Sequence, residues 1–329
     1  MKKYTLKKST FAKEGEPETQ RKFLIDYRNA LNPAQYEAVT SVNGPHLIIA
    51  GAGTGKTRTI TYRVAYLVEL GVKPESVLLL TFTRRAAQEM LRRAATLLDA
   101  RCERIAGGTF HSFANLVLRQ YAPLLHFESS FSILDQSDAE DVVNLLRTRM
   151  KLDTRERRFP RKQTLFDIFS KAVNTTSTIQ KVLQDDYPHF EDYFEEITAL
   201  QKAYDSYKAS HNLMDYDDLL LYLQRLLRDH DHVRNALSDR YRYIMVDEYQ
   251  DTNRIQAEIV LLLSQRHRNI MVVGDDSQSI YSFRGATIRN ILDFPEEVQD
   301  CSIIKLEENY RSTQPILNLT NEILRRGQE

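Results

Sequence analysis

The stretch His46-Leu-Ile-Ile-Ala-Gly-Ala-Gly-Thr-Gly-Lys-Thr57 decides the fold. An apolar run of strand length ends in a glycine-rich turn, and a helical pattern follows as far as Glu69. Small residues at Gly51, Ala52, Gly53, Thr54 and Gly55 let backbone N–H groups turn inward around phosphate oxygens. The helix that follows points its positive end at the same anion. Lys56 has the reach to meet β- and γ-phosphates, and the Thr57 hydroxyl suits a Mg²⁺ ion. Ala50 stands where the strict pattern has its first glycine. Short motifs of this kind also arise by chance, but far less often between a strand and a helix. Alone, a phosphate loop specifies only that a nucleotide is bound.

Further runs of strand length lie at Val77–Phe82, Arg104–Thr109, Tyr243–Asp247, Ile270–Gly274 and Ser302–Leu306. Several, such as Val77-Leu-Leu-Leu-Thr-Phe82, are apolar on both faces, which suits parallel strands covered by helices on both sides. Helical patterns separate most of them, so the expected fold class is α/β with a parallel sheet flanked by helices. The alternation stops from about 114 to 211, where the pattern is helical with little strand signal beyond Phe131–Leu134. Within it, Asp135-Gln-Ser-Asp-Ala-Glu140 reads as a helix start, with Ser137 as N-cap and Glu140 at the capping-box position. An inserted all-helical subdomain splitting the α/β domain is expected there. Residues 1–30 mix charge and polarity without period and read as a tail.

At 329 residues, 42% hydrophobic and 27% charged, the chain is long enough for about two domains and polar enough to stay in water. No apolar run approaches the ~18 residues of a membrane helix. Two cysteines, Cys102 and Cys301, allow at most one disulfide, which points to a reduced, cytoplasmic setting. With 45 basic and 45 acidic residues, nucleic-acid binding by bulk charge is excluded, though a local basic groove is not.

Tyr243-Ile-Met-Val-Asp247-Glu248 is an apolar strand ending in two carboxylates. Neighbouring strand residues point to opposite faces, so the two can do different work. Asp247 suits a Mg²⁺ partner and Glu248 the base that receives a proton from an attacking water. In isolation an acidic strand end is unremarkable; behind a phosphate loop the functional reading gains.

Asp247-Glu-Tyr-Gln-Asp-Thr-Asn253 resembles the second motif of superfamily 1 DNA helicases of the UvrD/Rep/PcrA type, and other segments agree in order. Leu31-Asn-Pro-Ala-Gln35 is similar to the adenine-reading segment, and Thr81-Phe-Thr-Arg-Arg-Ala-Ala-Gln-Glu-Met90 to the first strand-contacting motif. Gly108-Thr-Phe-His-Ser-Phe113 and Met214-Asp-Tyr-Asp-Asp-Leu-Leu220 match two more signatures. Val273-Gly-Asp-Asp-Ser-Gln-Ser-Ile-Tyr-Ser-Phe-Arg-Gly-Ala286 resembles the third motif, and Leu306-Glu-Glu-Asn-Tyr-Arg-Ser-Thr-Gln-Pro315 the fourth. Two departures keep their physical character: Arg84-Arg85 where the family has Asn-Lys, and Phe283 where it has Trp.

The resemblance implies a RecA-like domain that binds ATP and Mg²⁺. It assigns Glu248, Gln278 and Arg311 to catalysis, as base, γ-phosphate sensor and arginine finger. Gln35, Arg58 and Tyr310 join residues 50–57 around the nucleotide, with Gln35 on the adenine edge and Tyr310 stacked on the ring. Thr57 and Asp247 hold the metal. Thr83, Arg84, Arg85, Thr109, Phe110, His111, Tyr281, Phe283 and Arg284 contact single-stranded DNA. Phosphate contacts of this kind carry no sequence information, which suits a translocating motor. Bland readings stand beside these: His111 as a structural histidine, and one of Tyr281 and Phe283 as a core ring. The basic run from Arg147 to Lys162 is either a duplex contact or a solvated face.

The expected division is a first RecA-like domain at 31–113 and 212–309, the helical insertion at 114–211, and the start of a second RecA-like domain at 310–329. The implied activity is ATP-driven 3′-to-5′ movement on DNA, with single strands and single/double-strand junctions as partners, together with the C-terminal half of the same enzyme. The rival reading is a stand-alone ATP-dependent DNA-binding or regulatory module without motor activity.

Overall fold

A computed structural model describes residues 23–152, 159–275 and 286–327. Six parallel strands form the central sheet: β1 (His46–Ala50), β2 (Val77–Thr81), β3 (Ala106–Thr109), β6 (Tyr243–Val246), β7 (Ile270–Gly274) and β8 (Ser302–Leu306). They lie in the order β3-β2-β6-β7-β1-β8. A separate parallel pair joins β4 (Ser132–Ile133) to β5 (Leu213–Met214). The strand expected at Val77–Phe82 stops at Thr81, where the chain turns outward and leaves Phe82 40% exposed. Arg104 belongs to the 3-10 turn Ala100–Arg104, so β3 starts only at Ala106.

Alternation along the strands sorts the side chains into two layers. Ile48, Leu79, Met245, Met271 and Val273 pack with Ile60, Val64 and Leu67 of the Lys56–Glu69 helix and Met90 of the Arg84–Leu97 helix. Leu47, Leu78, Leu80, Val246 and Val272 point the other way, onto the Phe110–Tyr121, Tyr216–Asp229 and Arg254–Ser264 helices. Both faces are therefore covered, as strands apolar on both sides require. The edge strand β8 buries only Ile304 and Leu306 and turns Ile303 and Lys305 outward.

A third apolar cluster, with Ala139, Val143, Leu165, Ile168, Ile197 and Leu200, draws on the Gln136–Arg149, Lys162–Asn174, Ile179–Asp186 and Phe194–Ser210 helices. Residues Ala114, Val117, Leu118, Phe127 and Phe131 pack instead into the main core. The pair β4 and β5 lies where the chain leaves the main core and returns to it. The first helix of the third cluster begins at Gln136, capped by Asp135 rather than Ser137; the Asp135 carboxylate accepts from the Asp138 N–H at 2.9 Å. A charged acceptor at that end is favoured by the helix dipole.

Residues 23–30 are packed rather than trailing: Tyr27 is buried and meets Phe23, Tyr62 and Tyr66 edge-on or at close range. Three aromatic rings within this distance give the segment an apolar payload that a count of its charges does not reveal. Of the basic run, Arg155, Arg157 and Arg158 lie outside the described residues. No described helix is long and apolar enough to cross a membrane.

Candidate active site

Because all six strands are parallel, their carboxyl ends open on one edge of the sheet, where α/β proteins bind ligands. That edge collects the phosphate loop after β1 and the two carboxylates after β6. The turn after β1 is built on Gly53 at φ 83° and Gly55 at φ 91°, left-handed angles that glycine takes without a Cβ penalty. The turn closes on itself, with Thr54 Oγ1 donating to the Gly51 carbonyl at 2.8 Å. Lys56 then extends to Glu248 at the end of β6, Nζ to Oε2 at 2.9 Å.

Asp247 is buried, and its Oδ1 has no hydrogen-bond partner among the described residues. Burial and the adjacent Glu248 push its carboxyl up to about 7, against the opposing pull of Lys56. Asp251 is likewise raised, to about 6, by burial and by Glu248. A buried carboxylate oxygen left unsatisfied is costly, and a cation beside it removes that cost. The unpartnered Asp247 oxygen thus fits a divalent cation such as Mg²⁺, for which it would be one protein ligand. Among the described residues no three His, Cys, Asp or Glu side chains converge on a metal position, but Mg²⁺ commonly takes one or two protein oxygens and completes its shell with phosphates and water. Glu248 itself sits at φ 52°, ψ 47°, a left-handed conformation unusual for a residue with a side chain.

The segment after β8 folds back over the phosphate loop. Asn309 Nδ2 donates to the Ala52 carbonyl at 2.6 Å, and the Tyr310 N–H to the Gly53 carbonyl at 2.9 Å. Asn309 Oδ1 in turn accepts from the N–H groups of Arg311 and Ser312. Arg311 is thereby set against Gly53: a Cβ on Gly53 would lie 2.7 Å from Arg311 Cβ. Tyr310 is 60% exposed, and its hydroxyl donates to Glu308 and accepts from Asn32 Nδ2.

Gln35 is buried beneath the loop. Its Nε2 donates to the Thr54 carbonyl at 3.0 Å and its Oε1 accepts from the Asn32 N–H in a capping box. The amide keeps a second N–H and a second lone pair beyond these bonds. Arg58 lies over the Tyr62 ring at 4.8 Å and donates to the Ala30 carbonyl.

The residues assigned to the single strand separate into groups. Thr83 caps the Arg84–Leu97 helix by accepting from the Ala86 N–H, which presents Arg84 and Arg85 exposed on its first turn. Thr109 caps the next helix in a capping box with Ser112. Phe110 is 4% exposed, with its ring in the main core, and it also borders the cavity that His111 and Tyr216 line. As first residue of an amphipathic helix it faces inward with Phe113 and Val117. His111 packs edge-on against Tyr216, and burial lowers its pKa. Both line a cavity of about 870 Å³ between the sheet edge and the third helical cluster. Gln278, Tyr281, Phe283 and Arg284 lie outside the described residues.

Sequence reading missed Gln250, Asn309, Asn32 and Tyr216. Only Asn32 carried a readable signal, the Asn-x-x-Gln spacing of a capping box. At the far end of the acidic motif, Asn253 Nδ2 donates to Asn174 Oδ1, whose Nδ2 donates to Asp217 Oδ1 at 2.8 Å. The motif is thus tied to a helix of the third cluster.

Residues 31–299 match the family model described as the UvrD/REP helicase N-terminal domain. The chain is 38% identical over 303 residues to a Staphylococcus aureus protein named ATP-dependent DNA helicase PcrA, covering 92% of this chain and 40% of that protein. It is 37% identical over 302 residues to the Staphylococcus epidermidis protein of the same name, covering 91% and 40%. The chain thus spans about 40% of the length of these relatives.

Proposed function

The chain belongs to the UvrD/REP helicase N-terminal domain family, and from that premise we propose that it is the ATP-binding and single-strand-binding part of a DNA helicase that moves 3′ to 5′. The observation that carries the proposal is the convergence of Lys56 on Glu248 beside the buried, unsatisfied Asp247. The name of the relatives, ATP-dependent DNA helicase PcrA, supports the same reading. In it, residues 31 to about 134 and 212–309 form the first RecA-like domain, the third apolar cluster is its insertion, and 310–329 lead toward a second such domain.

Each residue then has a task. N–H groups of residues 51–57 hold the phosphates, and Lys56 leaves Glu248 to reach them. Bound at Thr57 and Asp247, Mg²⁺ supplies charge neutralisation on the phosphate oxygens. Glu248 takes the proton of the attacking water as the bond from the γ-phosphorus to the ADP oxygen breaks. Arg311, held beside Gly53, steadies the charge that develops, an effect worth roughly 10³- to 10⁵-fold in this chemistry. Gln35, Arg58 and Tyr310 border the adenine. Thr83, Arg84, Arg85, Thr109 and His111, with Tyr281, Phe283 and Arg284, track the single strand, and Gln278 senses the γ-phosphate.

The test is hydrolysis of ATP by the chain with and without single-stranded DNA, alongside oligonucleotide binding at several salt concentrations. Mg²⁺-dependent turnover raised by single strands is expected, with Arg85→Ala weakening binding evenly across sequences and reducing its salt slope by about one. Binding that ignores salt, or that Arg85→Ala leaves unchanged, would remove the strand assignment.

A further inference from the structure

Gln250 lies in the short turn Tyr249–Asp251 that follows the two carboxylates, and it is 1% exposed. Its Nε2 donates to Glu248 Oε2 at 2.9 Å, and its Oε1 accepts from the Asp275 backbone N–H at 3.1 Å. These partners fix which way the amide faces. A backbone N–H can only donate, so the oxygen faces Asp275 and the NH₂ faces the carboxylate. The approach to β7 is close enough to dictate its last residue: a Cβ on Gly274 would lie 2.6 Å from Gln250 Oε1. The amide is thus wedged between the ends of β6 and β7.

Glu248 Oε2 consequently receives two donors, Lys56 Nζ and Gln250 Nε2. They differ in what they can do next. Lys56 is a flexible cation that the phosphates of a nucleotide draw away. Gln250 is buried and pinned at its other end by a backbone group, so it stays. Glu248 also holds a left-handed backbone conformation, which persists only where the surroundings enforce it.

We propose that Gln250 is a positioning residue for hydrolysis: it anchors Oε2 of Glu248 from the buried side, so that Oε1 is the atom presented to the attacking water. The inference rests on the reading of Glu248 as the base. It also means that the carboxylate is placed relative to the backbone at the end of β7, so a shift there moves the base.

The experiment is single-turnover and steady-state ATP hydrolysis by the full chain with single-stranded DNA, for wild type, Gln250→Met, Glu248→Asp and the double variant. Gln250→Met keeps the length of the side chain and loses its hydrogen bonds to Glu248, to Asp251 and to the Asp275 N–H. A kcat roughly tenfold or more below wild type is expected, since small misplacements of a reacting group are costly, with KM for Mg·ATP within about threefold. On the Glu248→Asp background, where the shorter carboxylate no longer spans the distance to Gln250, the same change should lower kcat less than about twofold. An equal loss on both backgrounds, or a raised KM with kcat unchanged, overturns the proposal. If Gln250→Met does not fold, Gln250→Leu, which is smaller and likewise has no hydrogen-bonding group, carries the same comparison. A crystal structure of the variant with Mg·ADP and beryllium fluoride reads the point without turnover; a Glu248 carboxylate placed as in wild type overturns it. Separately, Glu248→Gln with wild-type turnover would remove the base itself, an outcome distinct from either result at Gln250.

Discussion

Lys56 Nζ and Glu248 Oε2 stand 2.9 Å apart although 192 residues separate them in the chain. On the proposed reading, the cation that would meet phosphates and the carboxylate that would meet water are each other's partner. Lys56→Ala should weaken Mg·ATP binding roughly 10- to 100-fold, the equivalent of one charge-assisted hydrogen bond. Glu248→Gln should bind at least as tightly as wild type, because Lys56 no longer leaves a carboxylate, yet lose turnover, because an amide does not accept the proton. Calorimetry reads the first and phosphate release the second. Equal affinity in wild type and Lys56→Ala would sink the phosphate-loop assignment.

Asp247 makes stability depend on pH. Its pKa in the folded chain is raised to about 7 from an ordinary value of 3.8. The folded state therefore binds more protons than the unfolded state between these values, and stability falls as pH rises through the window. At about pH 8 the cost of the buried charge is on the order of 4 kcal/mol, at about 1.4 kcal/mol for each pKa unit. Urea unfolding of the nucleotide-free chain should show Asp247→Asn gaining stability at about pH 8 and little at about pH 4. A gain equal at both would show that ionisation is not the cause.

Gly53 is constrained twice, by its φ of 83° and by Arg311. Gly53→Ala should cost ~1–2 kcal/mol for the backbone alone, and should also push the Asn309–Ser312 segment off the loop. Limited proteolysis reports the second effect. Cleavage near residue 310 that is no faster than in wild type would show that the two segments move apart without consequence.

Lys208 is buried between Asp215 at 2.8 Å and Asp218 at 2.7 Å, with the Tyr204 hydroxyl donating to Asp215. Burial alone would lower the lysine's pKa, but Asp215, Asp218 and the neighbouring Asp205 raise it. This cluster links the Phe194–Ser210 helix to the start of the Tyr216–Asp229 helix. Lys208→Met leaves two acids buried without a counter-charge and should cost about 3–5 kcal/mol. Adding Asp215→Asn and Asp218→Asn should recover part of it. Denaturant midpoints decide; a loss under about 1 kcal/mol would mean that water reaches the acids.

How far the sequence can be read shows at particular residues. Ile48 and Leu47 announce a strand covered on both sides by their alternation with equally apolar neighbours, and the structure puts them in opposite layers. Phe110 sits in a motif of apparent contact residues, yet helix geometry turns it inward, and no pattern within Gly108–Phe113 distinguishes it from His111. Gln35 is similar: its spacing from Asn32 predicts a cap, while its bond to Thr54 depends on where a second segment passes. Gln250 lies within the motif that carries the resemblance, but its role gave no signal, because its partners, Glu248 and the Asp275 N–H, meet only after β6 and β7 are paired.

The sequence alone determined the local devices of this protein. Left-handed angles at Gly53 and Gly55, caps at Thr83 and Thr109 and the alternation of the strands follow from short-range sterics and hydrogen bonds within a few residues. The tertiary structure decided which devices act together. Lys56 follows β1 and Glu248 follows β6, and the strand between them, β7, comes later in the chain than both. That order comes from burying two apolar faces under helices joined by right-handed crossovers, a property of the whole sheet that no stretch of the sequence contains.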